Sequence, residues 1–404
     1  MFRSLSFIIF CFTTAFAFSQ VKGQSVIENE KNYNNTISTN NGASANLQSL
    51  ELNVIANPSN SANFTPSLME TESTKLSQEI LVDPSNAAYW GNYYRAQRYS
   101  YYSKTSNDIT GEEQKDLNQI IDNMSKYVPA SYEYHYLTYV NGNRNPELIE
   151  HLEKAYELNP KSTEVLLEFT SHYEISGNDA QKKEFCKALS DAGVYSDGIL
   201  EFNYNLLNSL DQNAILITHG ENDTYPAWIQ QNVKSVRSDV KVLYIDLLEN
   251  KTYREKELKE LGLDITTDIT KDKAGFLKEI AQESKKRPVY FANTVAPELL
   301  KPMNANLYVT GLAFKYSETA FDNVAVIEKN WNDKMKKDEL NSEDDKTGTM
   351  ESKLNLNYLP GILLLYENYL KDGNKEAEKL KELALKLGTE GGKEHQVRLY
   401  LEKK

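Results

Sequence analysis

The residues of this chain best suited to chemistry stand in one short run, His219-Gly220-Glu221-Asn222-Asp223-Thr224. An imidazole, two carboxylates, an amide and a hydroxyl are groups that can hold a sugar, a cation or a peptide end. The run follows residues 214–218, which are apolar, partly β-branched and read as a buried strand. Asp246 follows a second run of this kind at 240–245, and Asn293 and Thr294 follow a third at 288–292. In open parallel sheets, ligands bind beyond the carboxyl ends of the strands. His219, Glu221, Asn222, Asp223, Thr224, Asp246, Asn293 and Thr294 therefore form the candidate ligand-binding set. The competing reading is architectural. Asp223 or Thr224 caps a helix opened by Pro226, and Gly220 or Asn222 allows a tight turn.

Other chemistries find no support. The chain has no HExxH and no pair of cysteines at metal-ligand spacing, and its five histidines are scattered, so no metal is expected. It has no P-loop, GxGxxG or GxSxG, so no nucleotide, cofactor or serine-hydrolase chemistry is expected. Cys186, with Phe185, Ala188 and Leu189 around it at helical spacing, reads as a small core residue. With 45 basic against 58 acidic side chains, the net charge of −13 argues against unspecific nucleic-acid binding.

The surrounding chain divides into five parts. Residues 1–19 read as a cleaved export signal: Arg3, an apolar run, then Ala15, Ala17 and Ser19 before the cut. Phe10 before Cys11 speaks against lipidation. The mature chain is expected in the periplasm with no membrane insertion, the "AFAFSQ" ending resembling signals of exported Bacteroidetes proteins. Residues 20–73 read as a disordered leader, since 21 of the 44 residues from Ser25 to Leu68 are Asn, Ser or Thr. Residues 74–210 show helical periodicity, 211–328 alternate strands with helices and predict a parallel sheet, and 329–404 read as a helical hairpin.

Within 74–210, Thr110-Gly111-Glu112-Glu113 is a capping box. The run Lys154-Ala155-Tyr156-Glu157-Leu158-Asn159-Pro160 resembles the close of a tetratricopeptide repeat, with Tyr139, Ala155, Tyr173 and Gly177 at the expected aromatic and small positions. The likeness is degenerate. Unit ends at 84, 129, 160 and 194 are spaced 45, 31 and 34 residues, and Lys182 stands where Ala is usual. Tyr369 and Gly373 repeat the spacing of Tyr173 and Gly177, which places repeat-like helices on both sides of the α/β part. Such hairpins present faces to protein partners. Tyr93, Tyr94, Tyr101 and Tyr102 are the candidate partner-binding residues, with gap-filling between helices as the alternative.

A second resemblance covers residues 213–316. The run Ala214-Ile215-Leu216-Ile217-Thr218-His219-Gly220-Glu221-Asn222-Asp223-Thr224-Tyr225-Pro226-Ala227-Trp228, with the later 237–242, 288–292 and 307–314, is similar to the soluble region of a Bacteroidetes family of multi-spanning membrane proteins. Their membrane half resembles C-type glycosyltransferases, and this chain lacks that half. No transferase activity is carried over. The expectation is a non-catalytic interaction protein of the cell envelope, serving secretion, gliding or glycan handling. Its partner would be an envelope protein, for instance a multi-spanning membrane protein. The alternative is a small-ligand or carbohydrate-binding module, or a weak enzyme, centred on 219–224.

Overall fold

The computed structural model describes residues 66–104 and 109–402. The expected export signal, and the leader as far as residue 65, lie outside the described residues. The helical part begins earlier than the expected boundary at 73/74, because α1 already runs from Pro66 to Val82. Its apolar positions Leu76 and Ile80 are buried against the next helix, and that burial outweighs the polar composition of its first turns. Among the described residues, no helix is long and apolar enough to cross a membrane.

Helical hairpins follow: α2 (Ala87–Lys104), α3 (Gly111–Tyr127), α4 (Tyr132–Asn141), α5 (Ile149–Leu158), α6 (Thr163–Ser176) and α7 (Asp179–Asp191). The capping box forms as expected. Glu113 N–H donates to the Thr110 hydroxyl at 3.3 Å, while Glu113 Oε2 accepts from Thr110 N–H at 2.8 Å. Below it, Leu117, Ile120, Ile121 and Met124 form the buried stripe of α3. At the end of α6, Gly177 takes a left-handed φ of 71°, and Asn178 N–H donates to the Tyr173 carbonyl at 3.0 Å.

Helix α8 (Asp197–Asn208) leads into the sheet: β1 (Ile215–Thr218), α9 (Glu221–Lys234), β2 (Lys241–Tyr244), α10 (Ile245–Leu248), α11 (Lys251–Leu261), α12 (Lys273–Glu283), β3 (Val289–Ala292), α13 (Pro297–Leu300), β4 (Leu307–Val309) and β5 (Ala313–Tyr316). The strand order is β2-β1-β3-β5-β4. β1 pairs in parallel with β2 and β3, but β5 runs antiparallel to both β3 and β4. The sheet is thus mixed, where an all-parallel one was expected. Residues 307–312 are not one strand. Gly311, at φ 136°, turns the chain, and three residues are too few for a parallel crossover. A Cβ there would stand 2.8 Å from Met335 Cε, so the turn also needs the space that glycine leaves.

The C-terminal part comprises α14 (Asn323–Lys329), α15 (Met350–Asn355), α16 (Leu359–Lys371), α17 (Glu376–Glu390) and α18 (Glu394–Glu402). Gly373 ends α16 at φ 65°, with Asn374 N–H on the Tyr369 carbonyl at 2.8 Å. The same terminator therefore closes α6 and α16, which accounts for the repeated Tyr-x-x-x-Gly spacing. Helical hairpins on both sides of a small sheet are the fold of this chain.

Two apolar cores result. One gathers α1–α6 around Trp90, Tyr94, Leu117, Leu137, Tyr139 and Phe169. The other runs from Leu166 to Val397 and takes in α6–α8, the sheet and the C-terminal helices. Helix α6 belongs to both, with Val165 and Phe169 in the first and Leu166, Leu167 and Ile175 in the second.

Helix α9 shows how a local rule is broken and compensated. Pro226 was expected to open it, yet the helix begins at Glu221 and Pro226 lies inside. Proline has no N–H for the Asn222 carbonyl, an interior defect worth about 3 kcal/mol. The Asn203 side-chain amide of α8 supplies the missing donor at 2.7 Å, and its second hydrogen bond goes to the Ile199 carbonyl at 2.9 Å. Replacing Asn203→Ala should cost about 1–3 kcal/mol in the native chain, because a carbonyl loses its partner. The cost should shrink in a Pro226→Ala background, where residue 226 regains its N–H. A double-mutant cycle by urea denaturation tests this, and equal costs in the two backgrounds would refute it.

Candidate functional site

The first turn of α9 brings together only part of the expected ligand set. Asp223 is buried at the third position of the helix and turns back toward the strand end. Its Oδ2 accepts from His219 N–H at 3.1 Å and from the Thr294 hydroxyl. The His219 ring Nδ1 accepts from Ala296 N–H at 3.3 Å, at the start of α13. Thr224 is fully buried and donates to Thr218 Oγ1 at 2.7 Å. These bonds tie the turn after β1 to the turn after β3. His219 N–H, Asp223 and Thr294 are therefore committed to one another, and Glu221–Thr224 of the six-residue run form the first turn of a helix.

The remaining members point elsewhere or stand apart. Asn293 is buried and donates to the carbonyls of Gly311 and Asn357, both at 3.0 Å, so it binds the sheet to the C-terminal helices. Asn222 contributes its backbone carbonyl to Asn203, as described. Glu221 is buried, and its charge helps raise the hydroxyl pKa of Tyr195, Tyr225 and Tyr244 beyond what burial alone does. Asp246 is half-buried and favours the charged imidazole of His219, but burial outweighs it and holds that ring below the ordinary histidine range. No group of three or more His, Cys, Asp or Glu among the described residues is placed to hold a metal ion.

The tyrosines divide similarly. Tyr94 is 1% exposed, with its hydroxyl on Asn141 Oδ1 at 3.0 Å. Tyr101 is 8% exposed and donates to Asp116 at 2.8 Å. Both fill the first core, so neither is available to a partner. Tyr93 is half-buried against that core. The Tyr102 side chain lies outside the described residues.

What the structure assembles instead is a buried polar junction on α6, largely missed from the sequence. Glu168 takes a two-pronged pair from Arg144, at 2.6 and 3.0 Å. Burial works against the guanidinium charge, but Glu168 prevails and raises the Arg144 pKa. Ser171 and Tyr225 share a hydroxyl hydrogen bond of 2.6 Å between α6 and α9. Glu174 is paired with Lys182 and accepts from Tyr253 of α11 at 3.0 Å. Lys182 also lies 4.3 Å from the centroid of the Trp228 ring in α9, a cation–π contact. Burial pushes the Glu174 carboxyl up, yet Lys182 outweighs it and the group stays below its usual range. The one visible signal was Lys182 at a position where the repeat pattern holds Ala.

A family model described as TMEM260-associated domain 2 matches residues 199–261, which run from α8 through β1, α9, β2 and α10 to the end of α11. No curated protein sequence matches. Among solved structures, the crystal structure of the yeast Tom70 superposes with a TM-score of 0.30 at 11% identity, covering 91% of this chain. The superposition spans 65% of the Tom70 chain.

Two measurements test the electrostatics. Burial raises the Asp223 carboxyl to about 6, above its unfolded value, so the folded state holds the proton more tightly. That contribution is present below the unfolded pKa and is lost as pH rises through about 6. Relative to Asp223→Asn, the native chain should lose about 2–3 kcal/mol between pH 4 and 6. Parallel denaturation profiles would contradict this. At the junction, Lys182→Met should cost about 3–5 kcal/mol by stranding the Glu174 charge, and adding Glu174→Gln should recover much of it. No recovery in the double variant would show that the pair is not the source of the loss.

Proposed function

We propose that this protein is a non-catalytic interaction scaffold of the bacterial cell envelope, exported to the periplasm, and that the first helices of its hairpin stack receive a protein partner. The observation that carries the reading is a set of large apolar side chains exposed on these first helices. Leu81 is 75% exposed, Val82 87% and Tyr127 54%. Leu81 and Val82 end α1, and Tyr127 ends α3 and stacks on Trp90 of α2 at 5.9 Å between ring centroids. Exposed large apolar side chains are the kind that bury against another chain.

The export signal read in residues 1–19 supports the location. The match of residues 199–261 to a TMEM260-associated domain, and the resemblance of 213–316 to the soluble part of multi-spanning membrane proteins, support a membrane-embedded partner. Secretion, gliding and glycan handling are the envelope processes such a scaffold would serve. The ligand-binding alternative loses ground because Asp223, Thr224 and Thr294 already satisfy one another or the adjoining strand.

Crosslinking in intact cells followed by mass spectrometry tests the reading. Lys75 and Lys126, exposed on the same helices, should form reproducible links to one envelope protein. Leu81→Asp with Val82→Asp should abolish those links while leaving thermal stability unchanged, since both side chains face solvent. Links that survive the substitutions, or none in the native chain, would overturn the proposal.

A further inference from the structure

A pair of histidines stands inside the hairpin of α4 and α5. His135 and His151 are both half-buried, and their Nδ1 atoms face each other at 3.1 Å. Tyr134 packs beside both rings, at 5.2 Å from His135 and 5.5 Å from His151, the latter edge-on. Helix α4 carries one ring and α5 the other, so the hairpin fixes their approach.

We propose that His135 and His151 form a clip for one divalent transition-metal ion that staples α4 to α5, the ring that carries the Nδ1 proton shifting it to its own Nε2 so that both bind as neutral imidazoles. Two nitrogen–metal bonds of ~2.0–2.1 Å close on a 3.1 Å separation at an angle of roughly 100°. That angle lies between the square-planar and tetrahedral values, and neutral imidazole suits copper, nickel and zinc. Among the described residues no carboxylate, thiol or third imidazole completes the set, so the other coordination positions belong to water.

The surroundings keep the rings neutral, as ligation requires. Burial, then the His151 and Lys154 charges, lower the His135 pKa. Burial lowers that of His151, with Glu150 opposing it. Lys154 is itself paired with Glu157 at 2.6 Å. Copper should bind more tightly than zinc or nickel.

The test uses the purified full chain with copper(II), nickel(II) or zinc(II) chloride at pH 7.5. One equivalent of copper(II) should abolish diethyl pyrocarbonate labelling of His135 and His151 while sparing that of His395, which is exposed. It should also raise the Tm, and that rise should vanish in His135→Gln and in His151→Gln. Labelling that is unchanged by the metal, or protected equally at His395, would overturn the proposal. So would a Tm rise that persists in both variants. The labelling arm needs no variant, so it stands even if a substitution disturbs the hairpin.

Discussion

A carboxylate and an ammonium buried side by side must satisfy each other, because neither tolerates the interior alone. Glu174 and Lys182 meet that constraint on the α6–α7 hairpin, and much else is arranged around them. Tyr253 of α11 donates to the same carboxylate, Trp228 of α9 lies against the ammonium, and Lys256 donates to the Glu174 backbone carbonyl at 2.7 Å. Two separate elements, α9 and α11, are thereby given one position against the hairpin. With Glu168–Arg144 and Ser171–Tyr225 on the same helix, α6 has a polar lock for each neighbour and an apolar face for each core.

A second set of locks binds the C-terminal part to the sheet and to α8, and asparagine side chains make several of them. Asn205 donates to the Lys336 carbonyl and the Tyr358 hydroxyl, both at 2.8 Å. Asn330 reaches the carbonyls of Ser209 and Thr310, and Asn293 those of Gly311 and Asn357. A side-chain amide gives two donors without carrying charge, so one residue can satisfy two carbonyls of irregular backbone at once. This explains how a short mixed sheet can sit between two helical bodies whose connecting segments cannot pair as strands.

The local signals in the sequence proved the most legible. The Thr110 capping box, the stripe of α3, the strand cores and the two Tyr-x-x-x-Gly terminators all follow from side-chain chemistry acting over four or five residues. What failed had its cause elsewhere in the chain. Pro226 reads as a helix start until Asn203, 23 residues earlier, is seen to supply its missing hydrogen bond. The turn that splits β4 from β5 at Gly311 is likewise hemmed in by Met335 and Ser209, from elsewhere in the chain. Of the candidate ligand set, His219, Asp223 and Thr294 stand together at the strand ends. Their partners, though, are one another, and no local pattern distinguishes a polar knot from an open site. Lys182 was noticed only as a departure, since the carboxylate and indole that explain it come from other turns and elements.

The sharing of α6 between two cores has a mechanical side. A pull applied at the tip of the hairpin stack would run along α4 and α5 into α6, and from there into α9 and α11. At that joint the resisting bonds are charged and bidentate or desolvated, and they lie across helices that would have to slide past one another. Load spread over several such bonds in shear is resisted together. The stack is therefore held through α6 by bonds that a pull would have to break together.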